Sequence, residues 1–566
     1  MVRANLYANV HVDVKCGVSE LHGSRMSSMS TEDSSLAVVS AASVVASASP
    51  HARPSGQMFA ANRLRDDLFP WAIALATGLE YFDNTIFSFF TSYIAGGINA
   101  SADELVWSSS AYAVASVLGI LQQQWWVERL GYRRYIGGCL LLFAAGSMAA
   151  ALSESSIELA FARGAQGYFI GPMMSACRIL IQTNFKPQRR PMAVRAFLCM
   201  ILLASALAPL IGGYLLADFD WRALFICTML GGIVLALFVL LVVPPLGKLH
   251  PEARGDAHFW PYIVFAFAQG ALQIVMQQVR FELFASSPLL VALTAAGLVA
   301  LGWFAWQQWH HPNPLVRLHA LRERTFQTGI VLYVFFYYIS NAFSYLVSRF
   351  LEGGLRYPVE NAGRLVGLTS LASLAIAFAY FRVSPLVKHK RWLIVPGFMM
   401  AALLGGWMVC MPPDVSMPWL LPPLLLRGML LVFIVLPVAN LAFRIFSADE
   451  FNHGYRFKNM VKQLTYSFST ATMIILEQHR EALHETRLTE FVNPFNPAFQ
   501  HSLASLTQSF EGLGHTAGDA KSLALVEIGR TVTQQASFLS ALDGFYFLIG
   551  VAICGGLFAL WQRQID

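Results

Sequence analysis

The sequence predicts an all-α polytopic membrane protein. Three observations carry this. Of 566 residues, 56% are hydrophobic and only 13% charged, about half the share of a soluble globular chain, and mean hydropathy is +0.52. Apolar runs of about 20 residues, the length that crosses a bilayer, recur along the chain. Lys and Arg collect in alternate connections between those runs.

The runs fall, in order, at 69–96, 106–127, 135–153, 156–182, 192–217, 221–244, 258–279, 287–307, 326–350, 361–383, 391–411, 417–445, 457–477 and 540–561, which makes fourteen spans. The connections after the even-numbered spans are "ERLGYRR", "FKPQRR", "PLGKLHPEAR", "HHPNPLVRLHALRERT", "RVSPLVKHKR" and "RIFSADEFNHGYRFK". These hold most of the loop Lys and Arg, whereas "SESS", "ADFD" and "MPPDVSMP" hold none. Positive charge marks the cytoplasmic side, and an even span number puts both termini there. The net charge of +6 therefore follows membrane topology, and no basic patch points to nucleic acid.

Residues 1–67, rich in Ser and Ala, read as a disordered cytoplasmic tail. Its apolar stretch "LAVVSAASVVASA" is too short to span and follows acidic "TED" where a signal peptide would be basic. Residues 478–539 form an unusually long outer connection. Its phenylalanines (Phe491, Phe495, Phe499, Phe510) and helical-looking 520–542 predict a small helical cap at the outer mouth. The 7 cysteines show no CxxC or metal-ligand spacing, and His310 and His311 lack metal partners at helical spacing. No Walker loop, dinucleotide glycine motif, HExxH or GxSxG element stands in a suitable context. The expectation is a non-enzymatic protein without cofactor or metal.

Charge inside the spans carries the functional reading. "GLEYFDNTIFSFF" places Glu80 and Asp83 three residues apart on one helical face of span 1. An ionised side chain at mid-bilayer costs about 2.5–3.5 kcal/mol, so such residues face protein or water and mark a function. Arg163, in span 4, reaches a similar depth on a helical rise of about 1.5 Å per residue. Opposite charge favours an ionised Asp83 while burial favours its neutral form, and a carboxyl held between the two can exchange protons.

Five stretches carry a family resemblance: "FDNTIFSFFTSYIAGGI", "QWWVERLGYRR", "ARGAQGYFIGP", "ASALAPLIGGYL" and "NMVKQL". Together they resemble the major facilitator superfamily, and within it the fourteen-span drug:H⁺ antiporter family 2, which includes Gram-negative multidrug exporters that work with a periplasmic adaptor. "FDNTIFSFFTSYIAGGI" is similar to "LDxTIVNVALPxI", with Asp83, Thr85 and Ile86 matching and Glu80 an addition. "QWWVERLGYRR" resembles "GxLADRxGRR": Glu128 stands at the acid, Arg129, Gly131, Arg133 and Arg134 follow, and Gln124 replaces the first glycine. "ARGAQGYFIGP" resembles "RxxQGxGxA" through Arg163, Gln166 and Gly167. "ASALAPLIGGYL" resembles the antiporter motif "GxxxGPxxGG": Pro209, Gly212 and Gly213 match, while Ala204 and Ala208 replace two glycines. "NMVKQL" resembles "NxxRQxGG", with Lys462 for the arginine and Gln463 matching. "LLRGMLLVFIVLP" echoes span 4 and sets Arg427 beside Arg163, as expected of parallel repeats.

The resemblance implies a major facilitator fold: an N-terminal six-helix bundle at 68–244, two inserted helices with cytoplasmic linkers at 245–325, and a C-terminal six-helix bundle at 326–566. It implies a proton-coupled antiporter of the inner membrane that exports amphipathic or aromatic compounds by rocking the bundles about a central cavity. Asp83, Glu80 and Arg163 would couple protons. Glu128, Arg129, Gly131, Arg133 and Arg134 would form a conformational latch. Gln166, Arg178, Tyr337, Asn341, Arg427, Lys462 and Gln463 are expected at the cavity. The implied partners are a small-molecule substrate, protons and lipid, with a periplasmic adaptor and an outer-membrane channel. Two other readings stand beside this one: a dedicated exporter of one metabolite, such as a siderophore or an aromatic acid, and a non-transporting membrane sensor or scaffold.

Overall fold

A computed structural model describes residues 63–562 except 251–253, 255–258, 279–286, 313, 319–321, 384–386, 388, 414, 444–445 and 447. The expected tail at 1–62 lies outside the described residues. Apolar sequence in lipid leaves the backbone no partner but itself, so helices are the outcome. Among the described residues, eleven helices are long and apolar enough to cross a membrane.

The first half comprises α1 (Arg63–Phe89), a short α2 (Thr91–Gly97), α3 (Ala102–Leu130), α4 (Tyr132–Ala151), α5 (Ser156–Ile170), α6 (Met173–Asn184), α7 (Arg190–Asp218) and α8 (Arg222–Val242). An inserted pair follows, α9 (Phe259–Gln278) and α10 (Pro288–His310). The second half comprises α11 (Arg324–Arg349), α12 (Val359–Val383), α13 (Arg391–Val409), α14 (Met417–Leu430), α15 (Leu436–Ala442), α16 (Ala448–Thr489), α17 (Pro497–Gly512) and α18 (Ala517–Trp561). The packing repeats between halves. α1 lies on α7, α3 on α5 and α4 on α8, and equally α11 on α16, α12 on α14 and α13 on α18. The halves meet where α7 crosses α12 and α3 crosses α16.

Several elements differ from the sequence reading. Residues 63–67 of the expected tail are helical, and the Arg65 guanidinium donates to the Val242 and Val243 carbonyls at 2.9 and 3.2 Å. Span 1 ends early at Phe89, where the Thr91 hydroxyl donates back to the Phe87 carbonyl (2.7 Å) and competes with the helix. Span 4 is divided by Gly171–Pro172, because proline offers no N–H to continue the ladder. Span 12 carries a π turn at Leu431–Val435 just before Pro437, for the same reason. Spans 1 and 13 are helical, yet neither ranks with the eleven apolar helices: Glu80, Asp83 and Asn84 interrupt the first, and Arg456, Lys458 and Lys462 the second.

Most of the long connection at 478–539 is helix. α16 runs on to Thr489, α18 starts at Ala517, and α17 lies between and packs on α18. The Thr516 hydroxyl caps α18 by accepting from Asp519 N–H, and Asn496 caps α17. Arg480 and His484 reach Asp543 across the α16–α18 pair at 2.6 and 2.7 Å.

Candidate functional site: a charged cavity between the halves

α1 supplies the acids because it lies at the inner face of the first half, so its polar stripe turns away from lipid. Asp83 is 1% exposed and accepts from Arg163 Nη1 at 2.9 Å. The same Nη1 donates to Gln166 Oε1 (2.8 Å), and Gln166 Nε2 donates to the Ser147 hydroxyl at 2.7 Å. The guanidinium is sandwiched between the rings of Phe87 and Tyr112, at 4.2 and 4.4 Å. Gly167 makes this possible: a Cβ there would stand 2.3 Å from the Tyr112 carbonyl oxygen, so only glycine lets α5 approach α3 closely enough.

Glu80, one turn earlier, faces the other half. It is 2% exposed and accepts from Lys462 Nζ of α16 at 2.9 Å. Its second oxygen accepts from the Met174 backbone N–H at 2.7 Å. That N–H belongs to the first turn of α6, an orphan donor created by the Gly171–Pro172 break, where the helix dipole also favours a carboxylate. Lys458, one turn below Lys462, is buried against the rings of Tyr455, Tyr333 and Tyr337.

Between the halves lies a cavity with two lobes of about 150 and 170 Å³. They share Asn84, Ser88, Phe89, Asn341, Ser344 and Tyr466. Arg163, Gln463 and Gln277 line the first lobe, and Tyr337 and Arg427 line the second. Asn341 Nδ2 donates to Thr470 Oγ1 at 2.9 Å, fixing α11 to α16 at the wall. Arg427 Nη2 donates to the Ser344 hydroxyl at 2.5 Å. Of the residues expected at the cavity, Gln166, Arg178 and Lys462 do not line it: Gln166 lies behind Arg163, Lys462 lies on Glu80, and Arg178 is held by Gln182 (3.3 Å) and the Phe451 ring (5.2 Å).

The cavity is bracketed on both sides. At the basic end, Gln124 donates to Glu128 Oε1 and accepts from Asn452 Nδ2 of α16, both at 2.8 Å, so the glutamine at the glycine position ties the halves together. Gly131 turns the chain at φ +78, and the Arg129 guanidinium stacks 3.9 Å above Trp125. Arg456 donates to His453 Nδ1 (3.1 Å); burial, with Arg456 and Arg317 nearby, pushes His453 down to about 2 and keeps it neutral. At the other end, the Ser348 hydroxyl of α11 donates to the Phe89 carbonyl at 3.1 Å.

The Pro209–Gly213 stretch forms the α7–α12 crossing. Pro209 and Gly213 pack on α12, and Gly212 receives the Phe90 ring, which a Cβ would meet at 2.1 Å. The glycines that α7 lacks are supplied by its partner. A Cβ at Gly363 would stand 2.5 Å from the Pro209 carbonyl oxygen, and one at Gly367 2.9 Å from that of Ala206. Sequence reading missed this pair, whose signal is the small-residue spacing Gly363-x-x-x-Gly367.

Two further features escaped sequence reading. Glu477 of α16 is 5% exposed and accepts from Arg349 Nε (2.8 Å) and from the Tyr345 hydroxyl. Its signal was an acid ending the apolar run "TMIIL". Gln273 and Gln277 of α9, four residues apart on one face, both donate to the Ser110 hydroxyl of α3 (3.0 and 2.8 Å). Gln273 also accepts from Ser467 of α16 at 2.6 Å, so the inserted pair is anchored to both halves.

A family model, "Major Facilitator Superfamily", matches residues 73–470. The chain is similar to the "Probable multidrug resistance protein EmrY" of Escherichia coli (strain K12), 24% identical over 482 residues that cover 84% of this chain and 91% of that protein. It is similar also to the "Multidrug export protein EmrB" of the same organism, 25% identical over 487 residues, covering 85% of this chain and 92% of that protein. Among solved structures, a bacterial homolog of the human lysosomal transporter Spinster, in an inward-facing conformation, superposes with a TM-score of 0.56 at 13% identity, covering 89% of this chain and 100% of that one. Fold, repeat and motif positions converge: this chain is a membrane protein of the Major Facilitator Superfamily.

Proposed function

We propose that this chain is a proton-coupled antiporter exporting amphipathic or aromatic compounds across the inner membrane, with both termini cytoplasmic. The observation that carries the reading is the buried Asp83–Arg163 pair, with its arginine in the wall of a cavity between the halves. Proton binding at Asp83 releases the Arg163 guanidinium; proton loss recovers it. Either change alters a charge at the cavity wall, which is what coupling requires. Glu80 is the second proton-coupling carboxylate, and its pair with Lys462 joins the two halves.

The other sequence expectations take their place within this proposal. The chain crosses the membrane fourteen times, with bundles at 68–244 and 326–566 and an inserted pair within 245–325. Glu128, Arg129, Gly131, Arg133 and Arg134 form the cytoplasmic latch, supported by the link from Gln124 to Asn452. Pro209, Gly212 and Gly213 make the sliding contact of the antiporter. Helix α17 and the flanking ends of α16 and α18 form the outer cap, which meets a periplasmic adaptor and, through it, an outer-membrane channel. The relatives named for multidrug export support the cargo class.

The test is drug tolerance in cells lacking their own exporters. Cells producing the protein should tolerate at least one aromatic antibacterial better than control cells, and a protonophore or Asp83→Asn should remove the gain at equal protein level in the membrane. Full protection from Asp83→Asn would overturn the coupling role.

A further inference from the structure

We propose that the cargo is a monoanionic amphipath: an apolar or aromatic body bearing one carboxylate or similar group, held by Arg427. This rests on the exporter reading and names the cargo class of its cavity. The argument is one of charge compensation. Among the described residues, the charged side chains lining the two lobes are Arg163, Arg349 and Arg427, and no carboxylate lines either lobe. Arg163 is compensated by Asp83 and Arg349 by Glu477, each from behind the wall. Arg427 has no carboxylate partner among the described residues; its guanidinium donates to the Ser344 hydroxyl and lies 5.9 Å from the Phe343 ring.

A guanidinium offers five N–H donors in a planar fork suited to a carboxylate, and a charge taken out of water without a counter-ion is costly. An anionic cargo supplies the missing charge, whereas a cationic cargo would meet only like charge in the lining. The surroundings fit an amphipath. Tyr337, Tyr466, Phe336 and Leu431 offer ring and alkyl surface in the same lobe, and Ser340 and Ser370 offer hydroxyls. The position of Arg427 is built in: Gly428 lets α14 lie against α12 so closely that a Cβ there would fall 1.7 Å from the Ser373 hydroxyl.

Three probes of one shape separate the charge states: 2-naphthoate, neutral 2-naphthamide and cationic 2-naphthylmethylammonium. Each is titrated calorimetrically into the full chain in nanodiscs, with empty nanodiscs as control. Naphthoate should bind at least about tenfold more tightly than the ammonium. Arg427→Gln should lose about tenfold for naphthoate and leave naphthamide unchanged, and Arg427→Lys should recover part of the loss. The proposal is overturned if the ammonium binds as well as naphthoate, if none binds, or if Arg427→Gln keeps naphthoate affinity. Should Arg427→Gln fail to fold, the wild-type comparison alone decides. Binding is read without a proton gradient. A failed charge preference with Asp83-dependent proton flux intact therefore removes only the cargo class, while lost flux with the preference intact removes only the coupling.

Discussion

Lys462→Met leaves Glu80 buried without its cation, and the size of that effect follows from the geometry. The two side chains are 4% and 3% exposed and 2.9 Å apart. Removing one partner of a buried pair costs about 3–5 kcal/mol. Glu80 still accepts the Met174 N–H at 2.7 Å, and an acid at a helix N-terminus gains about 0.3–1 kcal/mol from the dipole. The expected loss is therefore about 2–4 kcal/mol. Glu80→Gln strands Lys462 instead and should cost about as much, since its contacts with Met174 Sδ at 3.7 Å and with the rings of Tyr81 and Tyr466 at 4.8 and 6.0 Å supply no counter-charge. Glu80→Gln with Lys462→Met removes both charges, so a double-mutant cycle should return a coupling of about 2–3 kcal/mol. Thermal unfolding in detergent measures the stability side. Because the pair joins α1 to α16, its loss should also free the halves on the basic side, and each 1.4 kcal/mol is about tenfold in population. Labelling of Ser340→Cys in the cavity wall by a membrane-impermeant thiol reagent applied from that side should rise by about tenfold or more. Additive single changes within about 0.5 kcal/mol, together with unchanged labelling, would refute the reasoning.

Arg163→Ala should abolish proton-driven transport, and Arg163→Lys should restore only part of it. An ammonium lacks the planar fork that Arg163 presents between the two rings, where it meets both Asp83 and Gln166. Wild-type flux from the Lys variant in proteoliposomes would show that a point charge suffices. Gly363→Val should lower stability by about 1–3 kcal/mol by overpacking against the Pro209 carbonyl, whereas Gly406→Ala, with open space around its Cβ, should be close to neutral in the same melting assay. Replacing residues 490–516 with a short flexible linker keeps the α16–α18 contact through Arg480, His484 and Asp543. It should spare proton flux in proteoliposomes but impair export from cells with an intact outer membrane; unimpaired export would make the cap a passive insertion.

Architecture was legible wherever a single residue type dominated a long stretch. Apolar runs marked the eleven long apolar helices, because burial in lipid imposes one requirement on every residue of a helix. The breaks were less legible. Gly171–Pro172 was visible as a motif, but the consequence, an orphan N–H that receives Glu80, depends on α1 and α6 meeting in space. The Asp83–Arg163 pair was readable from depth alone, since both charges had to be met inside the membrane. The partner of Glu80 was not, since Lys462 lies in the other half and its register against α1 is set by packing that no local pattern encodes. Gln124 shows the limit of motif reading. Against the glycine of the family pattern it reads only as a departure, yet it bridges Glu128 and Asn452.

The most direct measurement of the central claim is proton movement driven by cargo. Proteoliposomes carrying an entrapped pH dye are held under a proton gradient, and the three naphthalene probes are added singly. The account predicts that at least one discharges the gradient faster through the wild-type protein than through empty liposomes, and that Asp83→Asn, folded and inserted, responds to none. A gradient undisturbed by cargo, or an Asp83→Asn protein that discharges it like the wild type, would contradict proton coupling at the Asp83–Arg163 pair.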